Sequence, residues 1–241
     1  MAVSAARPPQ EFSGFPPGGF DFFLELSHRQ SRDWFKANKQ RYETLWVKPM
    51  EALLADISQR MSDVFPEMPQ APRHIFRIYR DTRFSPDKSP FKTHIAGHVP
   101  IRRHEIEGDW SIPSVYVHFG LDDSVAGVGR WGMDKDAVQV FREAVADDRK
   151  GAELQKMVSA LEADGFHVSS HESLKRVPAP YPQDHPRAEL LKLKGLAVSK
   201  VNLPEDLMPS PDFAGWLSEQ LHKAAPVAKW LERHVKAGPN V

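Results

Sequence analysis

Val115 to Leu121 reads V-Y-V-H-F-G-L, with apolar and polar residues alternating at period two. That alternation predicts a strand, and it puts His118 on the polar side because successive side chains point to opposite faces of a pleat. Other segments group around it. Ile75, Phe76, Ile78, Tyr79 and Phe84 are β-branched or aromatic and predict an earlier strand. Its faces would hold Phe76, Ile78, Arg80, Thr82 and Phe84 on one side, and Ile75, Arg77, Tyr79, Asp81 and Arg83 on the other. S-P-D-K-S-P at 85–90 is turn chemistry, and 93–101, 165–170 and 196–203 predict further strands.

Helical patterns lie on both sides of this cluster. Phe20, Phe23, Leu24 and Ser27 recur at helical spacing. Ser31 predicts an N-cap ahead of a stripe running from Trp34 and Phe35 through Tyr42, Trp46, Leu53 and Ile57 to Met61. Pro49 cannot donate to the preceding turn, so two helices end to end are expected there. Asp134 caps a helix to Val145, another spans 151–163, and 185–195 holds a short helix with Gly195 as its C-cap. The tail from about Pro211 to Lys236 is expected to carry two more helices. The class is α+β: a mainly antiparallel sheet flanked by helices. Residues 1–19, rich in Pro, Gly and Ala, are expected as a flexible N-terminal arm, and 20–241 as a single domain.

With 41% apolar residues among 241, the chain has ample material for a packed core. It has no cysteine, which excludes disulfide frameworks, thiolate zinc sites and cysteine nucleophiles. Equal numbers of bases and acids, 32 of each, argue against a general polyanion binder. No segment reads as a secretion signal and no apolar run has membrane-spanning length, so a cytoplasmic protein without a membrane partner is expected.

Neutrality overall hides a local concentration. Residues 73–94 carry six Arg and Lys against two Asp, while 121–172 carry eleven acids against six bases. Such asymmetry either steers ligands or pairs up across the fold. Arg77, Arg80, Arg83, Lys88 and Lys92 bracket the predicted strand and its turn, so several converge on one region. Guanidinium forks match phosphate or carboxylate oxygens, and lysine adds a compact charge. An anion-binding site is therefore expected, with Asp81 or His118 as the group that moves a proton. The competing reading is architectural: Arg80 shares its predicted face with Phe76 and Ile78, and a buried arginine needs a carboxylate, so the Arg-Asp-Arg run would only hold the fold together.

Two further patterns are weaker. G-V-G-R-W-G at 127–132 matches G-x-G-x-x-G, but a dinucleotide site needs an acid ending a strand about 20 residues on. Asp147 and Asp148 fall there in a helix or its last turn, so a turn using glycine's positive φ fits better and no cofactor is expected. Neighbouring strands would bring His94 and His118 together, and two histidines plus a carboxylate bind metals. Eleven histidines make chance pairs common, so no metal is expected. A histidine acting as acid or base beside the arginines is the better use.

The run from Arg77 to His94, R-I-Y-R-D-T-R-F-S-P-D-K-S-P-F-K-T-H, resembles the signature of the bacterial family DUF2461. Its pattern, Arg-x-x-Arg-Asp-x-Arg-Phe followed by Lys and an aromatic, falls on Arg77, Arg80, Asp81, Arg83, Phe84, Lys88 and Phe91. The family usually carries Tyr at the place of Phe91. The segments around Trp34 and Tyr42, V-Y-V-H-F-G, the G-V-G run and 174–195 are similar as well. The resemblance implies one domain and a special role for the Arg-Asp-Arg stretch, and no substrate.

The expectation is therefore a domain with an Arg/Lys-lined pocket for a small phosphate-bearing or carboxylate-bearing ligand, with catalysis on that ligand left open by the sequence. The alternatives are a non-catalytic adaptor for an acidic partner, with a nucleic-acid backbone less favoured, and a purely structural network.

Overall fold

The computed structural model describes residues 11–69, 74–83, 86–102 and 112–235. At its centre β3 (Ser114–Gly120) buries Val115, Val117 and Phe119 on one face and leaves Tyr116 and His118 half-buried on the other. Around it run β1 (His74–Ile75), β2 (His94–Pro100), β4 (Ser124–Arg130), β5 (His167–Ser169) and β6 (Leu196–Val201). The strand order is β1-β2-β3-β4-β6-β5, and every neighbouring pair is antiparallel.

Register makes the two faces very different. Val99, Val115, Val128, Val198 and Val168 lie side by side across five strands. β-branched neighbours of this kind pack well across a pleated surface. Helices cover that face: α7 (Asp212–His234) packs on β4 and β6, and α3 (Lys48–Arg60) on β2. One step along the ladder the opposite face carries His74, His98, Tyr116, Gly127, Ser199 and His167, again side by side across all six strands.

The N-terminal helices build the end of the core nearest the arginine-rich run. Gly19–Arg29 forms α1, and Ser31 caps α2 (Arg32–Tyr42) by accepting from the Trp34 backbone N–H at 3.4 Å. Trp46 stacks on Phe23 with ring centroids 4.8 Å apart, and its indole N–H donates to the Gly19 carbonyl at 2.9 Å. Phe12 and Phe15 are buried against Phe213 and each other, so this end of the expected loose arm is packed into the core. Residues 1–10 lie outside the described residues. Asp134 caps α4 (Lys135–Ala146), Asp147 caps α5 (Asp148–Ala163), and Ala188–Lys192 is α6. Among the described residues no helix is long and apolar enough to cross a membrane.

Two helices do run end to end at Pro49: the π-helical turn Glu43–Val47 joins α2 to α3, and the proline sits in the first turn of α3, where the missing donor costs least. Three expectations are corrected. The tail is one helix with Pro226 inside it, held by the buried residues Ala224, Ala225, Val227 and Trp230. Gly195 does not cap α6, which ends when Leu193 turns extended. The glycines of G-V-G lie within β4 rather than in a turn, although Gly129 does have φ of 148°.

The predicted strand over Ile75–Phe84 shortens to β1, followed by a single bridge between Tyr79 and Phe91. Four residues separate Ile75 from Tyr79 while six separate their partners Gly97 and Phe91, so the ladder slips between the two pairings. Phe84 lies outside the described residues.

Candidate small-molecule site on the open sheet face

The open face encloses a cavity of about 510 Å³. Its floor is the middle of β3, β4 and β6, where Gly127, Gly129 and Ala197 carry little or no side chain. A Cβ on Gly127 would stand 2.7 Å from the Ser199 Cβ, and Gly129 sits at positive φ, so neither position takes a larger residue without strain. Phe76 and His98 form one wall, stacked with centroids 5.4 Å apart. Trp131 stands at the rim, and Tyr116 and His118 project inward from β3.

A chain of polar side chains crosses the floor's edge. The Tyr116 hydroxyl lies 3.1 Å from His118 Nδ1, and His118 Nε2 lies 3.0 Å from an Asp123 carboxylate oxygen. A carboxylate only accepts, so Nε2–H donates to Asp123 and Nδ1 accepts from the tyrosine O–H. Burial holds His118 below the usual histidine range, opposed by the Asp123 charge. Burial also pushes the Tyr116 hydroxyl up to about 12. At neutral pH both are uncharged, and a proton taken up by Tyr116 from a ligand could be balanced by passing its own to His118, where Asp123 stabilises the imidazolium.

The His94 ring packs 4.4 Å from His118, centroid to centroid, as adjacent strands dictate. Burial, reinforced by the charges of His118, Lys92 and Arg80, holds His94 near 4. Lys92, two residues before His94, is half-buried. Its ammonium is pushed below the usual lysine range by burial and by repulsion from Arg77 and Arg80. Among the described residues it has no hydrogen bond or ion pair. Arg80 meets Asp87 at 3.3 Å and the Phe91 carbonyl at 3.4 Å, while its buried Nε has no partner among the described residues.

Arg83 and Lys88 turn toward their own loop. Arg83 grips Asp81 with two bonds, at 3.0 and 2.7 Å, and Lys88 donates to the Thr82 carbonyl at 2.8 Å. That grip holds the Asp81 carboxylate far below its ordinary range, so of Asp81 and His118 the histidine is the better proton acceptor. Arg77 is exposed beside Lys92, to whose ammonium it is electrostatically coupled. Phe91, by contrast, is fully buried and stacks on Phe35 at 4.6 Å. Its backbone N–H and C=O both bond the Gln30 side-chain amide, at 3.0 and 3.3 Å.

Tyr116 and Asp123 were not singled out in the sequence. Tyr116 was within reach, since period-two alternation puts it on the face of His118. Asp123 needed the β3–β4 turn, which the sequence does not specify. Among the described residues no group of three histidines and acids is arranged to hold a metal.

A family model described as a conserved hypothetical protein, DUF2461, matches residues 19–230. No curated protein and no solved structure matches the chain.

Proposed function

From the premise that the chain belongs to DUF2461, a family whose description carries no activity, we propose that this protein binds a small phosphate-bearing or carboxylate-bearing molecule on its open sheet face and moves a proton on it. Lys92 anchors the anion, with Arg77 and Arg80 beside it. Tyr116 faces the bound molecule, backed by His118 and Asp123. The observation that carries the reading is Lys92 itself: a half-buried ammonium flanked by two guanidiniums, with no acidic partner among the described residues. A cation half removed from water and repelled by two guanidiniums is relieved by a counter-charge, and an incoming anion supplies one.

Arg83, Asp81 and Lys88 support the site at one remove by shaping the 80–90 loop from which Arg80 reaches in. The loop's internal bonds favour the architectural reading for these three residues. The proton path follows the logic of a nucleophile, base and orienting acid, with a tyrosine at its outer end.

The test is titration of the intact protein with inorganic phosphate, sulfate and acetate by melting temperature and calorimetry, with Lys92→Met and Arg83→Ala alongside. An anion held at 100 times its dissociation constant adds about 2.7 kcal/mol. The expected result is stabilisation that Lys92→Met abolishes and Arg83→Ala reduces only partly. Equal stabilisation of parent and Lys92→Met would refute the proposal.

A further inference from the structure

Lys92, Arg77 and Arg80 do not line the cavity, so the anion reading above leaves the cavity beyond His118 unexplained. Its floor is broad rather than tubular. From β1 to β5 the lining strands span about 24 Å at the usual strand spacing, and from Ser114 to His118 about 13 Å along β3. The floor is bare because Gly127 and Gly129 lie under its middle, and both are held to glycine by their close approach to β6 and, at Gly129, by φ.

The walls are π surfaces: Phe76 stacked on His98, then Tyr116 and Trp131. One polar group stands deep among them. His98 is 7% exposed and lines the cavity; its Nδ1 lies 3.4 Å from the Ser114 hydroxyl, and Nε2 has no bond among the described residues. Burial and the neighbouring His74 hold its ring near 4, so at neutral pH it offers a neutral hydrogen-bonding nitrogen to a ligand.

We infer that the cavity receives a flat aromatic ring system attached to the anionic group, lying on the glycine floor between the Phe76–His98 wall and Trp131, with an edge toward His98 Nε2. This rests on the anion reading above and narrows its ligand to the class of aromatic acids and aromatic phosphate esters. A flat ring gains contact over the whole of a backbone floor. Aromatic walls add edge or offset contacts that an alkyl chain does not make. A cavity of this volume suits a ligand of that size.

The probes are inorganic phosphate, cyclohexyl phosphate, 2-naphthyl phosphate and the neutral 2-naphthol, measured by calorimetry on the intact protein. Lys92→Met and the cavity-filling Ser169→Trp on edge strand β5 are run in parallel. The expected order has 2-naphthyl phosphate at least tenfold tighter than either other phosphate. Ser169→Trp removes that advantage and leaves inorganic phosphate unchanged, whereas Lys92→Met weakens all three phosphates and leaves 2-naphthol alone. Ring-proton Overhauser contacts to the α-protons of Gly127 and Gly129 in the parent protein are expected too, and they need no variant to fold. Equal affinity of 2-naphthyl and inorganic phosphate, or tight 2-naphthyl phosphate without those contacts, overturns the aromatic inference while leaving the anion site standing. Binding of 2-naphthol with no phosphate response overturns the anion reading and keeps the ring pocket.

Discussion

Acid should weaken this protein through the histidines of its open face, and His98 shows by how much. Its ring is held near 4 by burial and by His74, against an ordinary value near 6.5. Protons therefore bind it more tightly in the unfolded chain, and acid favours unfolding. The stability involved is present above pH 6.5, is lost as pH falls from 6.5 through 4, and levels off below, where both states are protonated. The gap between 4 and 6.5 is worth about 3 kcal/mol in full, of which about 2 kcal/mol is lost between pH 7 and 5. Solvent screening discounts part of this, so a loss of about 1–1.5 kcal/mol from this residue is expected.

The assay is urea unfolding at pH 7, 6 and 5 of the parent and of His98→Gln. The glutamine keeps a polar group and cannot titrate. The other groups titrate in both proteins, so the difference between their pH profiles reports His98 together with its coupling to His74. The parent should lose about 1–1.5 kcal/mol more than the variant between pH 7 and 5. Profiles that run parallel would refute the assignment of His98 as a buried neutral ring. A parent that gains stability on acidification would refute the sign.

Arg187 is buried and its guanidinium donates to the carbonyls of Val145 at 2.6 Å and Ala146 at 3.0 Å, closing the end of α4. Arg187→Met leaves those acceptors without a donor and should cost about 3 kcal/mol by urea unfolding; a cost under about 1 kcal/mol would mean water replaces it. Phe91→Ala empties a fully buried site against Phe35 and should cost about 3–5 kcal/mol in the same assay. Lys92→Met removes a repelled cation and should raise the melting temperature in anion-free buffer by a degree or more, while Tyr116→Phe should leave melting almost unchanged and, once a turnover assay exists, lower turnover more than binding.

Local chemistry was the legible part of this chain. Period-two alternation placed β3 and its polar side, and Ser31 and Asp134 read as caps because their side chains satisfy backbone donors close by in sequence. The His94–His118 approach followed from two adjacent strands. What could not be read depended on partners far along the chain. Pro226 stays inside a helix because buried neighbours on both sides outweigh a missing hydrogen bond. Gly127 and Gly129 suggested a turn, yet their reason is β6, some 70 residues on. In the cationic run, residue types announced charge but not which charges were already used: Arg83 and Lys88 answer to their own loop, and Lys92 does not.

The order of strands in the sheet carries a consequence for how the chain is made. β1 to β4 pair in sequence, each with a neighbour already synthesised. β5 does not: among the named strands its sole pairing is with β6, which leaves the ribosome 27 residues later. Until β6 docks on β4, the segment carrying His167 and Ser169 has no ladder to join. The far wall of the cavity is thus among the last parts to form, and a nascent or truncated chain ending before residue 196 carries the Tyr116–His118 pair without the strands that complete the cavity around it.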